Sequence, residues 1–220
     1  MGDTSAGIFE HRFGDPLAFA AAAADAVADA IELRLADAPE AVLAVPGGST
    51  ARSVLPALAR RPIAWDRICV TLVDERWVPP EHPDSNEALV RACLGPTIGP
   101  RIVGLYSGAP SPEAALDDLN VRLPAPDVIL LGMGEDGHIA SLFPGEAANQ
   151  AEGKYVVAHR PDHARATLTP AAIAAGRSIV LAFGGAIKDA VFRRALAEGP
   201  AAALPVRHAL HAGAKVFIGP

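Results

Sequence analysis

The sequence predicts an α/β fold, with a mostly parallel central sheet covered by helices on both faces in a Rossmann-like three-layer arrangement. Three observations lead there. Short apolar runs alternate with longer segments of helical periodicity. Runs such as Asp127-Val128-Ile129-Leu130-Leu131 lack the polar alternation of a half-solvated antiparallel strand. Gly and Pro, 20 each, gather mainly at joints between elements. With no internal repeat or low-complexity linker, one domain over residues 1–220 is expected.

The elements follow in order. After a short polar lead, Asp15 caps a helix with Pro16 at its first position. Leu17, Ala20, Ala24, Val27, Ile31 and Leu35 form its apolar stripe, Asp25, Asp29 and Glu32 mark its other face, and Pro39 ends the unit. Ala41–Val45 reads as a buried strand, Pro46–Thr50 as its exit loop, and 51–60 as a helix with a boundary near Pro56. Arg67–Val73 is strand-like and ends at Asp74-Glu75-Arg76. A loop with Pro79, Pro80 and Pro83 then precedes a helix over Asn86–Leu94. Ile102–Leu105 is a weak strand, and Ser111 caps a helix opening on Pro112. Beyond the strand at 127–131, short strands are expected at 154–158 and 167–169, with Thr169 capping a helix from Pro170 to Gly176. Ser178–Phe183 is a strand, Gly184-Gly185 leads a helix through Lys188 to Leu196, and Lys215–Ile218 is the last strand.

Composition narrows the function classes. The chain is 50% hydrophobic but only 5% aromatic, so Ala, Val, Leu and Ile must build the core. A net charge of -6 argues against a protein-wide nucleic-acid surface but leaves room for a local anion pocket. Cys69 and Cys93 have no closely spaced partner and read as buried free thiols of a cytosolic protein. No targeting segment is expected: Met1-Gly2-Asp3 lacks a basic region leading into an apolar core, and Ala6 stands where myristoylation needs a hydroxyl residue. Asp25 and Asp29 interrupt the Ala-rich run, so a membrane span is not expected. A cytoplasmic protein is expected.

The candidate chemistry sits at strand ends: Gly47-Gly48-Ser49-Thr50, Asp74-Glu75-Arg76, Gly132–His138, and Gly184-Gly185 with Lys188. In a parallel sheet these groups converge on one rim. The Gly47–Thr50 loop offers backbone N–H groups and hydroxyls to a phosphate, or is an ordinary turn capped by Ser49 or Thr50. It matches neither the P-loop nor the dinucleotide fingerprint. Arg76, Lys188 and Arg165 supply positive charge for an anion; otherwise Arg76 pairs with Glu75 or Asp74, and the other two are solvated. His138 is the candidate acid/base group, flanked by Asp136 as its orienting partner. Helix capping is the competing role for that pair. Asp74 contacts a sugar hydroxyl, takes part in acid/base chemistry, or pairs with Arg76. No metal site is expected: Pro161 argues against a helix joining His159 and His163, and solvent exposure accounts for His208 and His211. Ser49 and Ser141 lack the hydrolase-elbow context.

Taken together, these pieces resemble the 6-phosphogluconolactonase family, within the broader sugar-phosphate isomerase and deaminase-like superfamily. The resemblance rests on Pro46–Thr50, Val73-Asp74-Glu75-Arg76-Trp77-Val78-Pro79, Asp84-Ser85-Asn86, Arg165 with 167–169, and Gly185 with Lys188. Its most diagnostic piece is Gly132–Gly145, and it covers almost the whole chain. It implies a carboxylic-ester hydrolase acting on 6-phospho-D-glucono-1,5-lactone in the pentose phosphate pathway, without metal or organic cofactor. By that resemblance His138 is the general base, Asp136 its support, and Gly47, Gly48, Ser49, Arg76, Arg165 and Lys188 form the phosphate-binding and oxyanion-facing environment; Asp74, from its place at a strand end, is counted with the substrate-binding residues. The expected partner is the phosphorylated sugar lactone, with no nucleic acid or membrane, in a monomer or weak homodimer. The alternatives are an amino-sugar-phosphate deaminase or isomerase, and a non-catalytic sugar-phosphate-binding regulator. Two positions depart from the family: Ile139 replaces a frequent Thr, and the stretch 216–220 lacks the usual Trp and Asp.

Overall fold

A computed structural model describes residues 9–95 and 101–220. The positions weighed for targeting, Met1, Gly2, Asp3 and Ala6, lie outside the described residues. The elements are β1 (Glu10–Arg12), α1 (Pro16–Asp37), β2 (Ala41–Val45), α2 (Gly48–Leu58), β3 (Ile68–Leu72), β4 (Asp74–Arg76), α3 (Asn86–Leu94), α4 (Pro112–Arg122) and β5 (Val128–Leu131). The rest are β6 (Tyr155–His159), β7 (Ala164–Leu168), α5 (Pro170–Ala174), β8 (Ser178–Gly184), α6 (Ala186–Ala195), α7 (Val206–His211) and β9 (Lys215–Gly219).

Six strands form a parallel sheet in the order β1-β9-β8-β5-β2-β3. Strands β2 and β5 at its centre are apolar at every position because both sides are covered; Val128, Ile129, Leu130 and Leu131 are all fully buried. Helix α1 lies along β2, β5, β8 and β9 and packs on α2, which in turn packs on α3. Helix α6 packs on β8 and α7, and α7 on α5. The predicted parallel α/β sheet is therefore the one observed. The chain leaves β2 toward β3 on one side and leaves β5 toward β8 on the other. Strands β2 and β5 are neighbours, so the order reverses between them, and their carboxyl ends open a crevice.

Several boundaries match the residues that set them. Asp15 accepts hydrogen bonds from the backbone N–H groups of Leu17 and Ala18 at 3.3 and 3.0 Å, fixing the start of α1. Ser111 and Thr169 cap α4 and α5 in the same way, each over Pro at the first position. Asp127 ties the start of β5, accepting from Arg34 Nε at 2.6 Å and from the Val42 backbone N–H at 2.9 Å. Arg207 is buried and donates to the carbonyl oxygens of Arg194, Ala195, Ala197 and Pro200, closing the exposed end of α6.

Other expectations are corrected. Leu17 has the right helical phase but precedes the first buried residue, Phe19, and is 77% exposed. Helix α2 starts at Gly48 rather than Ala51 and runs through Pro56. Residues 102–105 form only an isolated bridge between Ile102 and Val70. Cys69 and Cys93 are half-buried, not fully buried, and burial pushes both thiols up. Asp74–Arg76 does not simply end a strand; it starts a second sheet, antiparallel, in the order β4-β7-β6. The chain near 10–12 is also a strand, pairing with β9. Thus the stretch 216–218 fills the sheet between β1 and β8. Ile139 is fully buried, so at this position the apolar side chain serves packing.

Candidate active site

The crevice between β2 and β5 deepens into a pocket. Four segments reach it: 46–50 after β2, Asp74 and Arg76 of β4, 132–140 after β5, and Arg165 of β7, with Lys188 of α6 on the rim. Gly47, Gly48, Ser49, Asp74, Arg76, His138, Arg165 and Lys188 all line it. Asp136 stands behind the imidazole rather than on the wall.

One half is built for an anion. Gly48 opens α2 at φ +65°, a conformation that favours glycine. Its N-cap is Gly47 and no side chain caps it. Neither Ser49 nor Thr50 takes the expected capping role: the Thr50 hydroxyl donates to the Ala182 carbonyl at 2.9 Å, and the Ser49 carbonyl accepts from Ser53 Oγ at 2.7 Å. The first-turn N–H groups and the positive end of the helix dipole therefore face the pocket side.

Two arginines line the same pocket as that helix end. Arg76 and Arg165 are direct cross-strand partners in the antiparallel β4–β7 ladder, so their side chains share one face. The Nε atoms of both are buried without a hydrogen-bond partner. Arg76 Nη1 donates to the Asp84 carbonyl at 2.8 Å and to Asn86 Oδ1 at 3.1 Å, while Arg165 Nη2 meets Asp162 Oδ2 at 2.7 Å. Arg76 does not pair with Asp74 or Glu75, the competing reading from the sequence. Glu75 is fully buried and instead accepts from the backbone N–H groups of Arg76, Asn86 and Glu87 and from Ser85 Oγ. Burial pushes its carboxyl up against those four bonds. Asp74 accepts from Ser141 Oγ at 2.6 Å, leaving it oriented along the wall.

The other half is built around His138. A single oxygen of Asp136, Oδ1, lies 2.6 Å from His138 Nδ1 and 3.1 Å from its backbone nitrogen. No helix follows: Gly137, at φ +86°, turns the chain, and Ile139 and Leu142 form an isolated bridge. Helix capping is thus not the role of this pair. Burial pushes Asp136 up, but the backbone N–H, charge and ring of His138 together hold it below its ordinary value. In the neutral ring, an Nδ1–H directed at the carboxylate leaves the lone pair on Nε2. A Cβ on Gly134 would fall onto the imidazole, so this glycine makes room for the ring itself. Phe143 supports the ring at a 4.5 Å centroid distance. The guanidinium of Arg165 lies 5.5 Å from the centre of the same Phe143 ring, joining the two halves of the site.

Sequence reasoning missed Asn86, whose amide accepts from Arg76 and donates to the Asp74 carbonyl at 2.9 Å. It also missed Ala140, a wall residue at φ +48°. The histidines outside the pocket separate. His159 meets Glu113 at 3.0 Å and His163 meets Asp84 at 3.0 Å. His211 is exposed, but His208 is half-buried with Nε2 unpartnered, and burial lowers its pKa; solvent exposure does not account for it.

A family model described as glucosamine-6-phosphate isomerases/6-phosphogluconolactonase matches residues 14–218. A 6-phosphogluconolactonase of Pseudomonas aeruginosa is 42% identical over 200 residues, 84% of each chain. One of Mesorhizobium japonicum is 42% identical over 219 residues, covering 92% of this chain and 90% of its own. A solved 6-phosphogluconolactonase structure from Shewanella baltica superposes with a TM-score of 0.90 at 30% identity, covering 98% of this chain and 99% of that one.

Proposed function

Because the chain belongs to the glucosamine-6-phosphate isomerase/6-phosphogluconolactonase family, we propose that its pocket hydrolyses 6-phospho-D-glucono-1,5-lactone to 6-phosphogluconate. The observation that carries the chemistry is a positioned imidazole sharing a pocket with two facing arginines and an uncapped helix start.

In this reading the phosphate sits against the Gly47-Gly48-Ser49 turn, Arg76 and Arg165, with Lys188 as a further point charge. Anchoring the charged tail places the lactone carbonyl near His138 and converts binding into orientation. Nε2 removes a proton from water as the oxygen attacks C1. The oxyanion that forms is stabilised by nearby positive and N–H groups. The C1–ring oxygen bond then breaks, and the imidazolium returns its proton to that departing oxygen. The new carboxylic acid ionises. Asp136 holds the ring in the required tautomer and stabilises its charged form. Asp74 takes a sugar hydroxyl.

The supporting frame for residues 1–220 as one lactonase domain is the family match across 14–218. No described helix is long and apolar enough to cross a membrane. On this reading the chain works in the cytoplasm, as a monomer or weak homodimer, with the lactone as its partner and no nucleic acid or membrane.

The test is product analysis at early times, with spontaneous hydrolysis subtracted. The lactone is expected to yield 6-phosphogluconate, and glucosamine 6-phosphate is expected to release no ammonia. Ammonia release without lactone turnover overturns the proposal in favour of a deaminase. Sugar-phosphate binding without turnover of either favours a regulator.

A further inference from the structure

We propose that His82, Asp84 and His163 form a binding site for a divalent cation of the zinc class, beside the anion half of the pocket. His82 and Asp84 lie between β4 and α3, and His163 immediately precedes β7. Asp84 Oδ2 is 3.0 Å from His163 Nε2 and 3.8 Å from His82 Nδ1. One donor atom from each of the three residues lies within 4.8 Å of the others. The two imidazoles meet edge-on, with centroids 5.6 Å apart and planes at 80°.

This is a two-imidazole, one-carboxylate set, which suits zinc and its neighbours rather than calcium or magnesium. In a tetrahedral site with bonds of about 2.0–2.2 Å, donors stand roughly 3.3–3.6 Å apart. The present 3.0 and 3.8 Å separations bracket that value. Small side-chain rotations close the remainder. All three side chains are partly exposed, which gives a cation a route in and lets water complete its shell.

A hydrogen bond from His163 to Asp84 explains that pair alone. His82 is turned toward the same carboxylate, with Nδ1 accepting the Asp84 backbone N–H at 3.1 Å. A cation at Nδ1 takes over the lone pair now used for that bond. On His163 the proton between Nε2 and the carboxylate moves to Nδ1 in the neutral ring, so no net proton is lost from it. Binding joins the 77–85 loop to the turn before β7. It also fixes Asp84, whose carbonyl holds Arg76. The site does not depend on the lactonase reading and uses none of its reacting groups.

The test is a titration of the full chain with Zn2+ and Co2+ in phosphate-free buffer near neutral pH. One equivalent of Co2+ is expected to give the visible absorption of low-coordinate nitrogen and oxygen ligation, and Zn2+ to displace it and raise Tm. His163→Ala and His82→Ala should each abolish both signals, while His138→Ala keeps them. Absence of binding, binding indifferent to His82 and His163, or binding lost in His138→Ala overturns the proposal. The last result would place the ion on the His138–Asp136 pair instead.

Discussion

Arg76 and Arg165 face each other as a register pair across two antiparallel strands, each with a buried, unpartnered Nε. Like charges directly opposite in a ladder are unfavourable. In the proposed function a phosphate between them offsets that repulsion, so the two facing charges would favour its binding. Arg165→Met keeps the apolar stem and removes the charge. It should raise KM roughly tenfold to a hundredfold, from charge-assisted bonds of about 1.5–3 kcal/mol. Inorganic phosphate should raise Tm in the wild type and raise it less in the variant. Equal phosphate shifts in both proteins would remove Arg165 from the anion site.

Gly134 borders the His138–Asp136 pair without carrying any chemistry itself. A methyl group there meets the His138 ring and the Asp136 carboxylate. Gly134→Ala is therefore expected to lower kcat about 100-fold, the scale of an ångström-sized misplacement. Its circular dichroism should stay close to the wild type. Wild-type turnover would show that the ring tolerates another position.

The lowered pKa of Asp136 gives a pH signature. A carboxyl depressed in the folded state contributes stability above its unfolded value and loses it as pH falls through the folded one. Thermal melts of the wild type and Asp136→Asn should thus differ steadily near neutral pH. The gap should close below the usual carboxylate range. A gap independent of pH counts against the pairing.

Arg207 is a stability residue. Its guanidinium is shared among four carbonyls around the end of α6. Arg207→Met removes four hydrogen bonds, one buried and three part-buried, and leaves their carbonyl acceptors unpaired; a loss of about 2–4 kcal/mol is expected. Calorimetry should show Tm lower by roughly 5–15 °C for a chain of this size. KM at permissive temperature should not move; a raised KM would tie α7 to substrate binding.

The parallel sheet was legible because burial on both faces leaves uninterrupted apolar runs, as in Val128–Leu131. Helix starts were legible where a cap precedes proline, as at Asp15, Ser111 and Thr169. The small antiparallel sheet was legible only in part: the strand expected at 154–158 is β6, the one at 167–169 catches only the end of β7, and β4 was read as a strand end. Asp74-Glu75-Arg76 is polar, and its ladder with Ala164–Leu168 forms across a long sequence separation. For the same reason the facing of Arg76 and Arg165 left no local trace. The role of Gly134 was half legible: its smallness was evident, but the imidazole that occupies the space was not. Asn86 read as the start of α3, a position that gives no hint of its bond to Arg76.

The central claim is tested most directly by the early-time lactonase rate of His138→Ala, corrected for spontaneous hydrolysis, alongside its phosphate-induced Tm shift. Loss of a general base should lower kcat about 100- to 10,000-fold, with the phosphate shift retained. An undiminished kcat would mean that another group activates the water.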